Sequence, residues 1–309
     1  MSLTKFKYYV THGLISILPP AVFRYRAKKL LTDIEQKRRE EVMSRVDYYN
    51  KLTQPFELNN EVQTVKNFKK TGGNTYYFDL LKVIKGFDPE NRFSVLNGDI
   101  RHIPEQPSFL KSRPITGKNQ NCVVLKLNAI RHFQFVDDKL SFRDKKDMVA
   151  WRGVGFQPHR QVVIKQFYNH PMCNLGQTRP HEGQPWEKGF MSIEEQLQYK
   201  FLLAIEGNDV ATNLKWSMSS NSLVLMSKPK YETWFMEGQL LAGHHYVELK
   251  NDYSDLPDKV GYFIDHPEEA EAIIRNANKW VEQFKDTKQE RLISLLVAQK
   301  YFEKSGQSL

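Results

Sequence analysis

The most informative run of apolar and polar positions lies between Phe201 and Met226. Phe201–Ile205 is a short apolar run, the length of a buried strand. Gly207-Asn208-Asp209 interrupts it with turn residues, and Asn208 or Asp209 is placed to cap a helix. Val210, Leu214 and Met218 then recur at helical spacing, Ser219-Ser220-Asn221 ends that pattern, and Ser222–Met226 reads as a second strand. Strand, polar turn, helix and strand make the half-unit of a parallel α/β sheet, with its turn at the carboxyl end of the first strand, where such sheets bind ligands. A helix opening there offers N–H groups to an anion, so the stretch reads as a phosphate seat.

The rest of the chain carries related patterns. Lys5–Leu52 reads as helical, with basic and aromatic residues interleaved from Phe23 to Leu31 and mixed charge from Glu35 to Arg45. That helical region suits either an anionic membrane surface or packing on the domain. Asn74–Lys82, Phe93–Leu96 and Val123–Leu127 read as strands, and the charged run Lys139–Asp147 marks a boundary between two halves. Met148–Trp151 reads as a strand, Gly153-Val154-Gly155 as its turn, and Pro158–Tyr168 as a helix with proline near its first position. Asn174–Gly189, rich in Gly, Pro, Gln and His, reads as a long loop. Ser192 and Glu195 form a capping-box pair for a short helix ending at Gln198. Tyr246–Leu249 reads as a further strand, and helices follow over Asp255–Phe263, Glu268–Phe284 and Gln289–Lys304.

At 309 residues the chain is long enough for one large domain or two ordinary ones. It contains no apolar run of the roughly 18 residues needed to span a bilayer. Its basic start is interrupted by Tyr8, Tyr9, Thr11 and His12 and lacks a clean signal-peptide core, so it reads as mature protein. Two cysteines, Cys122 and Cys173, make no disulfide framework, and a cytoplasmic setting is the expectation. The net charge of +9 fits a phosphate-bearing partner or simply a solvated basic surface.

The chain has no GxGxxG, Walker loop, HExxH or paired CxxC. Asp137-Asp138 lies in an already charged loop, and adjacent His244 and His245 on a strand face opposite ways, so no metal site is expected. Three turns each end a predicted strand. Asp99, in Asn97-Gly98-Asp99, is either a general base at a sheet mouth or a plain turn residue. Arg152, Gly153 and Arg160 suit a diphosphate or belong to a basic surface. The third turn carries Asn208, Asp209, Asn213 and Lys215.

The motifs IEGNDVATNLKWSMSSNSLVL, Tyr231-Glu232-Thr233-Trp234-Phe235, His244 to Leu249, and Asp252 to Leu256 together resemble glycosyltransferase family 90. That family includes the protein O-glucosyltransferases and bacterial lipopolysaccharide core glycosyltransferases. AWRGVGFQPHR is similar to its basic donor segment, and NGDIRHIPEQPSFLKSRPI looks like the bacterial branch. The resemblance runs from about residue 74 to 284. It implies a GT-B-like α/β fold of two Rossmann-like domains facing a cleft, with N-terminal and C-terminal helices. The expected divisions are 1–145 for the acceptor side, 146–285 for the donor side, and a C-terminal helix, 286–309, crossing back to the first domain.

It further implies inverting transfer of a hexose from a UDP-sugar to a hydroxyl of the lipopolysaccharide inner core, with no metal or other cofactor. Asp99 matches the base. Arg152, Gly153, Arg160, Gly207, Asn208, Asp209, Val210, Ala211, Asn213, Lys215 and Glu232 match donor-binding positions, with Glu232 at the ribose. Arg101, Lys111 and Arg113 are the acceptor-binding candidates. Where relatives carry an arginine this chain has Asn213, leaving Lys215 as the nearest cation. Peripheral contact with the inner membrane is expected and nucleic acid is not. The alternative is a non-catalytic polyanion- or nucleotide-binding protein at a membrane surface.

Overall fold

The computed structural model describes residues 13, 18–32, 39–59, 61–180 and 182–307. The start of the expected N-terminal helix, from Lys5, and its stretch 33–38 lie outside the described residues apart from Gly13. In chain order the elements begin with helices α1 (Pro20–Thr32) and α2 (Arg39–Tyr49), strand β1 (Gln63–Thr64), helix α3 (Asn74–Ile84), and strands β2 (Arg92–Phe93), β3 (Ser108–Leu110), β4 (Ser112–Pro114) and β5 (Cys122–Val124). Next come α4 (Ala129–His132), β6 (Lys146–Gly153), α5 (Pro158–Phe167), β7 (Cys173–Gln177), α6 (Ile193–Gln196), β8 (Tyr199–Leu203), α7 (Leu214–Met218) and β9 (Leu223–Ser227). Strands β10 (Tyr231–Thr233) and β11 (Val247–Leu249) and helices α8 (Leu256–Asp265), α9 (Pro267–Glu282) and α10 (Thr287–Lys304) complete the order.

The chain folds as two compact units. One contains residues up to Arg131, the segment Tyr231–Phe235 and Phe284 onward; the other contains His132–Lys230 and Met236–Gln283. The first division falls at 131/132, not at 145/146, because Phe142 packs edge-on to Phe201 in the core of the second unit.

The second unit is built on a five-stranded parallel sheet in the order β11-β9-β8-β6-β7. Its inner strands β8 and β9 are buried on both faces, which is why Phe201–Leu203 and Leu223–Met226 read as continuous apolar runs. One face packs Val149, Trp151, Phe201, Leu203 and Leu225 against Val163, Ile164, Leu256, Val260 and Ile273 from α5, α8 and α9. On the other, Ala150 and Leu202 meet Leu197 and Trp216. Strand β7 is a departure from expectation: it falls where the sequence reads as loop, and it pairs along its whole length with β6. The Ser192 capping box forms as the spacing predicts.

The first unit has, among its described residues, no comparable sheet. Its strands form three two-stranded ladders, β1-β2, β3-β5 and β4-β10, with a parallel bridge from Val95 to Phe109 that extends β3-β5 by one edge. Asn74–Lys82, which reads as a strand, is helix α3, burying Asp79, Leu80, Leu81, Val83 and Ile84. The first unit is tied together by Glu290 of α10. Its carboxylate receives Arg45 at 2.6 Å, Lys126 at 2.6 Å and the Trp234 indole N–H at 2.7 Å. Trp234 stacks on Tyr49 with centroids 3.9 Å apart, and the Tyr49 hydroxyl donates to the Trp234 carbonyl.

Candidate functional site

The strand order of the second unit decides where a ligand fits. From β6 the chain moves outward to β7, then returns to the opposite side of β6 to form β8. Connections therefore leave β6 and β8 in opposite directions, and the crevice between them at the carboxyl ends is the topological switch point where open α/β sheets bind ligands. The loop after β6 leads into α5, ten residues long with Pro158 in its first turn, so a helix N-terminus opens beside the crevice. The loop after β8 carries Gly207 and Asn208.

Arg160, in the first turn of α5, joins these two loops. It donates to Val154 O at 2.7 Å on the β6 side and to Ile205 O at 3.0 Å and Glu206 O at 2.8 Å on the β8 side. Its guanidinium lies 5.4 Å from the Trp151 ring centroid. His159 Nε2, which must be the protonated nitrogen here, shares Glu206 O at 2.7 Å, and Gln157 Nε2 reaches Asn208 Oδ1 at 3.5 Å. A Cβ at Gly155 would meet Gln177 Oε1 and Ile164 Cδ1 at 2.6 Å, so a larger residue there would have to displace the ends of those two side chains.

Several expected donor residues have other duties. Arg152 points toward β7, where it donates to Asn174 O at 2.7 Å, Asn174 Oδ1 at 2.8 Å and Gly189 O at 3.2 Å, and burial lowers its pKa. Gly153 closes β6, accepting from Thr178 N at 3.0 Å. Asp209, Val210 and Ala211 are buried, leaving Gly207 and Asn208 as the accessible part of the turn. The expected helix from Val210 is shorter: α7 starts at Leu214, and Asn213, at its N-cap, donates to Leu203 O at 2.7 Å. Lys215 is fully buried and ion-paired with Glu237, itself 1% exposed, so it neutralises a carboxylate rather than a ligand. The helix that opens beside the crevice is thus α5 rather than α7.

In the first unit the structure brings Asp99 and Lys111 together and sends Arg113 and Glu232 elsewhere. Asp99 follows the Val95 bridge and Lys111 follows β3, to which Val95 is bridged in parallel at Phe109. Gly98, at φ +103°, makes the turn that presents Asp99. The Lys111 ammonium lies 2.6 Å from Asp99 Oδ1; Lys111 is 3% exposed and Asp99 31%. Lys111 therefore anchors a reachable carboxylate instead of reaching out itself, and the Tyr76 ring sits 6.0 Å from its ammonium. Arg101 is exposed.

Arg113 and Glu232 face each other across β4 and β10 and form a buried pair at 2.7 Å. Arg113 further donates to Tyr48 O at 2.7 Å, and Tyr48 OH donates to Glu232. Neither reaches solvent, which corrects the expected acceptor role of Arg113 and ribose role of Glu232: the pair fastens β10 to the first unit. Sequence reading missed Gln157, His159 and Tyr76. The two polar residues bracketing the helix-opening Pro158 were the available signal for the first two.

Comparison with known proteins now separates transferases from other users of such a sheet. Residues 126–293 match the profile of Glycosyl transferase family 90. The O-glucosyltransferase LpsA of Dichelobacter nodosus is 45% identical over 305 residues, 96% of this chain and 95% of that protein. The chain belongs to glycosyl transferase family 90. Protein O-glucosyltransferase 3 of Rattus norvegicus is 29% identical over 142 residues, 44% of this chain and 28% of that protein. As a family 90 member the protein is a glycosyltransferase, acting on a sugar donor and an acceptor. No helix among the described residues is long and apolar enough to cross a membrane.

Proposed function

We propose that this family 90 member transfers glucose from UDP-glucose to a hydroxyl of the lipopolysaccharide inner core, at the cytoplasmic face of the inner membrane. The observation that carries the reading is the switch-point crevice, where Arg160 gathers both loops beside the α5 N-terminus. A diphosphate suits that seat, because helix N–H groups and a guanidinium both favour negative charge. Glucose is favoured by the names of the relatives, O-glucosyltransferase LpsA and protein O-glucosyltransferase 3. The net charge of +9 suits a phosphorylated, membrane-held acceptor.

The proposal takes the two units as the halves of a GT-B-like enzyme. Asp99 removes the proton from the acceptor hydroxyl as that oxygen attacks the anomeric carbon, and UDP departs from the opposite side, inverting the configuration. Positive charge at the crevice stabilises the UDP as it gathers charge, and no metal takes part. Incubation with UDP-glucose and truncated core lipopolysaccharide is expected to add the mass of one hexose, with or without a chelator. Absence of product across a panel of UDP-sugars overturns the reading, and activity lost to the chelator and restored by manganese overturns its metal-free part.

Arg160→Ala removes both the charge and the tie between the loops. A hydrogen bond to a charged group contributes about 1.5–3 kcal/mol, so UDP is expected to bind about 10- to 100-fold more weakly. Arg160→Lys, which keeps the charge without the three-way fork, should fall between. An unchanged UDP titration of Arg160→Ala removes Arg160 from the donor site.

A further inference from the structure

The first unit holds a groove of about 620 Å³ that the reaction described above does not use. That size falls within the roughly 300–1,000 Å³ of small-molecule sites. One wall is the loop after α2, from Lys51 to Glu57; the other is residues 105–107 with Gln120 and Asn121. Residues 105–107 lead into β3 and Asn121 leads into β5, and these two strands are parallel. Lys111, which holds Asp99, follows β3. The groove therefore lies at the amino ends of β3 and β5, and the length of β3 stands between it and Lys111.

Both walls are fixed in place. Phe56 N donates to Lys304 O at 2.9 Å, and the Lys304 ammonium donates to Thr53 O at 2.6 Å, so α10 holds the first wall. Asn121 Nδ2 donates to Pro104 O and Glu105 O, each at 3.0 Å, and Ser108 N donates to Asn121 O at 2.9 Å, which holds the second. A site with preset walls loses little freedom when a ligand arrives.

Four amides line the groove, Gln54, Gln106, Gln120 and Asn121, beside the Phe56 ring. Gln54 and Gln120 are exposed, and among the described residues their side chains make no hydrogen bond. An amide both donates and accepts, as a sugar hydroxyl does. Phe56 is half-buried and meets Tyr301 edge-on with centroids 5.1 Å apart, supplying apolar surface for the C–H face of a sugar ring. The charge of the lining argues against an anion. Its ionisable side chains are Lys51, Glu57 and Glu105, one cation against two carboxylates, in a protein of net charge +9. The Lys51 ammonium already donates to Asn119 Oδ1 at 2.9 Å. A phosphate arriving here would meet net repulsion.

We propose that this groove is a second saccharide site, binding one or two uncharged hexose units apart from the Asp99–Lys111 pair. Its ligand is either the outer sugars of the acceptor or a separate free saccharide.

The test compares the full-length protein with Gln54→Ala/Gln120→Ala, chosen because neither amide supports the fold. Its urea midpoint should match the parent. Maltose, cellobiose and lactose are each titrated with saturating UDP present, followed by saturation-transfer NMR, with inorganic phosphate at matched ionic strength as the anionic control. Saturable binding of at least one disaccharide is expected in the parent, weakened tenfold or more in the variant. No saturable binding by any of the three, equal binding by both proteins, or a variant that loses phosphate binding instead overturns the proposal. Transfer kinetics with UDP-glucose and truncated core lipopolysaccharide identify the source. A raised acceptor KM at unchanged kcat assigns the groove to the acceptor's outer sugars, and unchanged kinetics with lost disaccharide binding assigns a separate saccharide. This kinetic arm rests on the function proposed above and the titrations do not, so a failed groove and a failed substrate reading are told apart.

Discussion

Asp99→Asn is expected to lower glycosyl transfer by about 10²–10⁴-fold while UDP binding stays unchanged, the range that general-base help supplies. The substitution keeps the shape of the side chain and removes its capacity to take a proton. The geometry favours this position over a plain turn residue. Asp99 is reachable from solvent, held shortly after the parallel Val95–Phe109 bridge, and fixed on one oxygen by Lys111 at 2.6 Å. A carboxylate whose sole duty was to close an Asn-Gly turn would not require a buried lysine behind it. Because Lys111 is 3% exposed, the variant also leaves an ammonium short of its partner, so its urea midpoint should be measured alongside the rate. A fall in turnover with the donor KM retained supports the base. Near-normal turnover in a folded variant removes Asp99 from that role.

The largest effect on stability is expected at a residue remote from the chemistry. Glu290→Gln should destabilise the first unit by about 3–5 kcal/mol, the usual consequence of breaking a buried ion pair from one side. Glu290 and Arg45 are each 5% exposed, and the same carboxylate holds Lys126 and the Trp234 indole. Neutralising it strands two cations in a poorly solvated interior while keeping the shape of the site. The measurement is the urea midpoint, read against Glu90→Gln. Glu90 pairs with Lys66 at 2.6 Å, but the side chains are 68% and 48% exposed. Such a surface pair contributes about 0–1 kcal/mol. Equal midpoints for the two variants would show that the Glu290 cluster does not hold the unit together.

The parallel sheet was legible in the sequence because its inner strands are buried on both faces and therefore read as unbroken apolar runs. Strand β7 was not, since Cys-Asn-Leu-Gly-Gln mixes polar and apolar residues at the sheet edge, where pairing with β6 rather than hydrophobicity defines it. Tyr76, Tyr77 and Phe78 biased the reading of 74–82 toward a strand. Burial of Leu80, Leu81, Val83 and Ile84 in a helix overrode that propensity. Within the candidate site, the glycine turns and Arg160 were legible from their place after strands. What no local pattern revealed was pairing over distance: that Lys215 serves Glu237, that Arg113 and Glu232 serve each other, and that Arg152 turns toward Asn174.

The segment Tyr231–Phe235 has a consequence for the order in which this protein is made. It supplies Glu232 to Arg113 and Trp234 to Tyr49, and α10 supplies Glu290 to Arg45. The N-terminal 131 residues therefore leave the ribosome with their partners still unsynthesised. At about 5–20 residues per second they wait about 10–35 s for α10 to emerge. The second unit needs nothing beyond Gln283 and is complete sooner, although it starts later in the chain. The nascent protein is thus expected to acquire protease resistance first around its parallel sheet, with the first unit remaining a chaperone client until α10 has emerged.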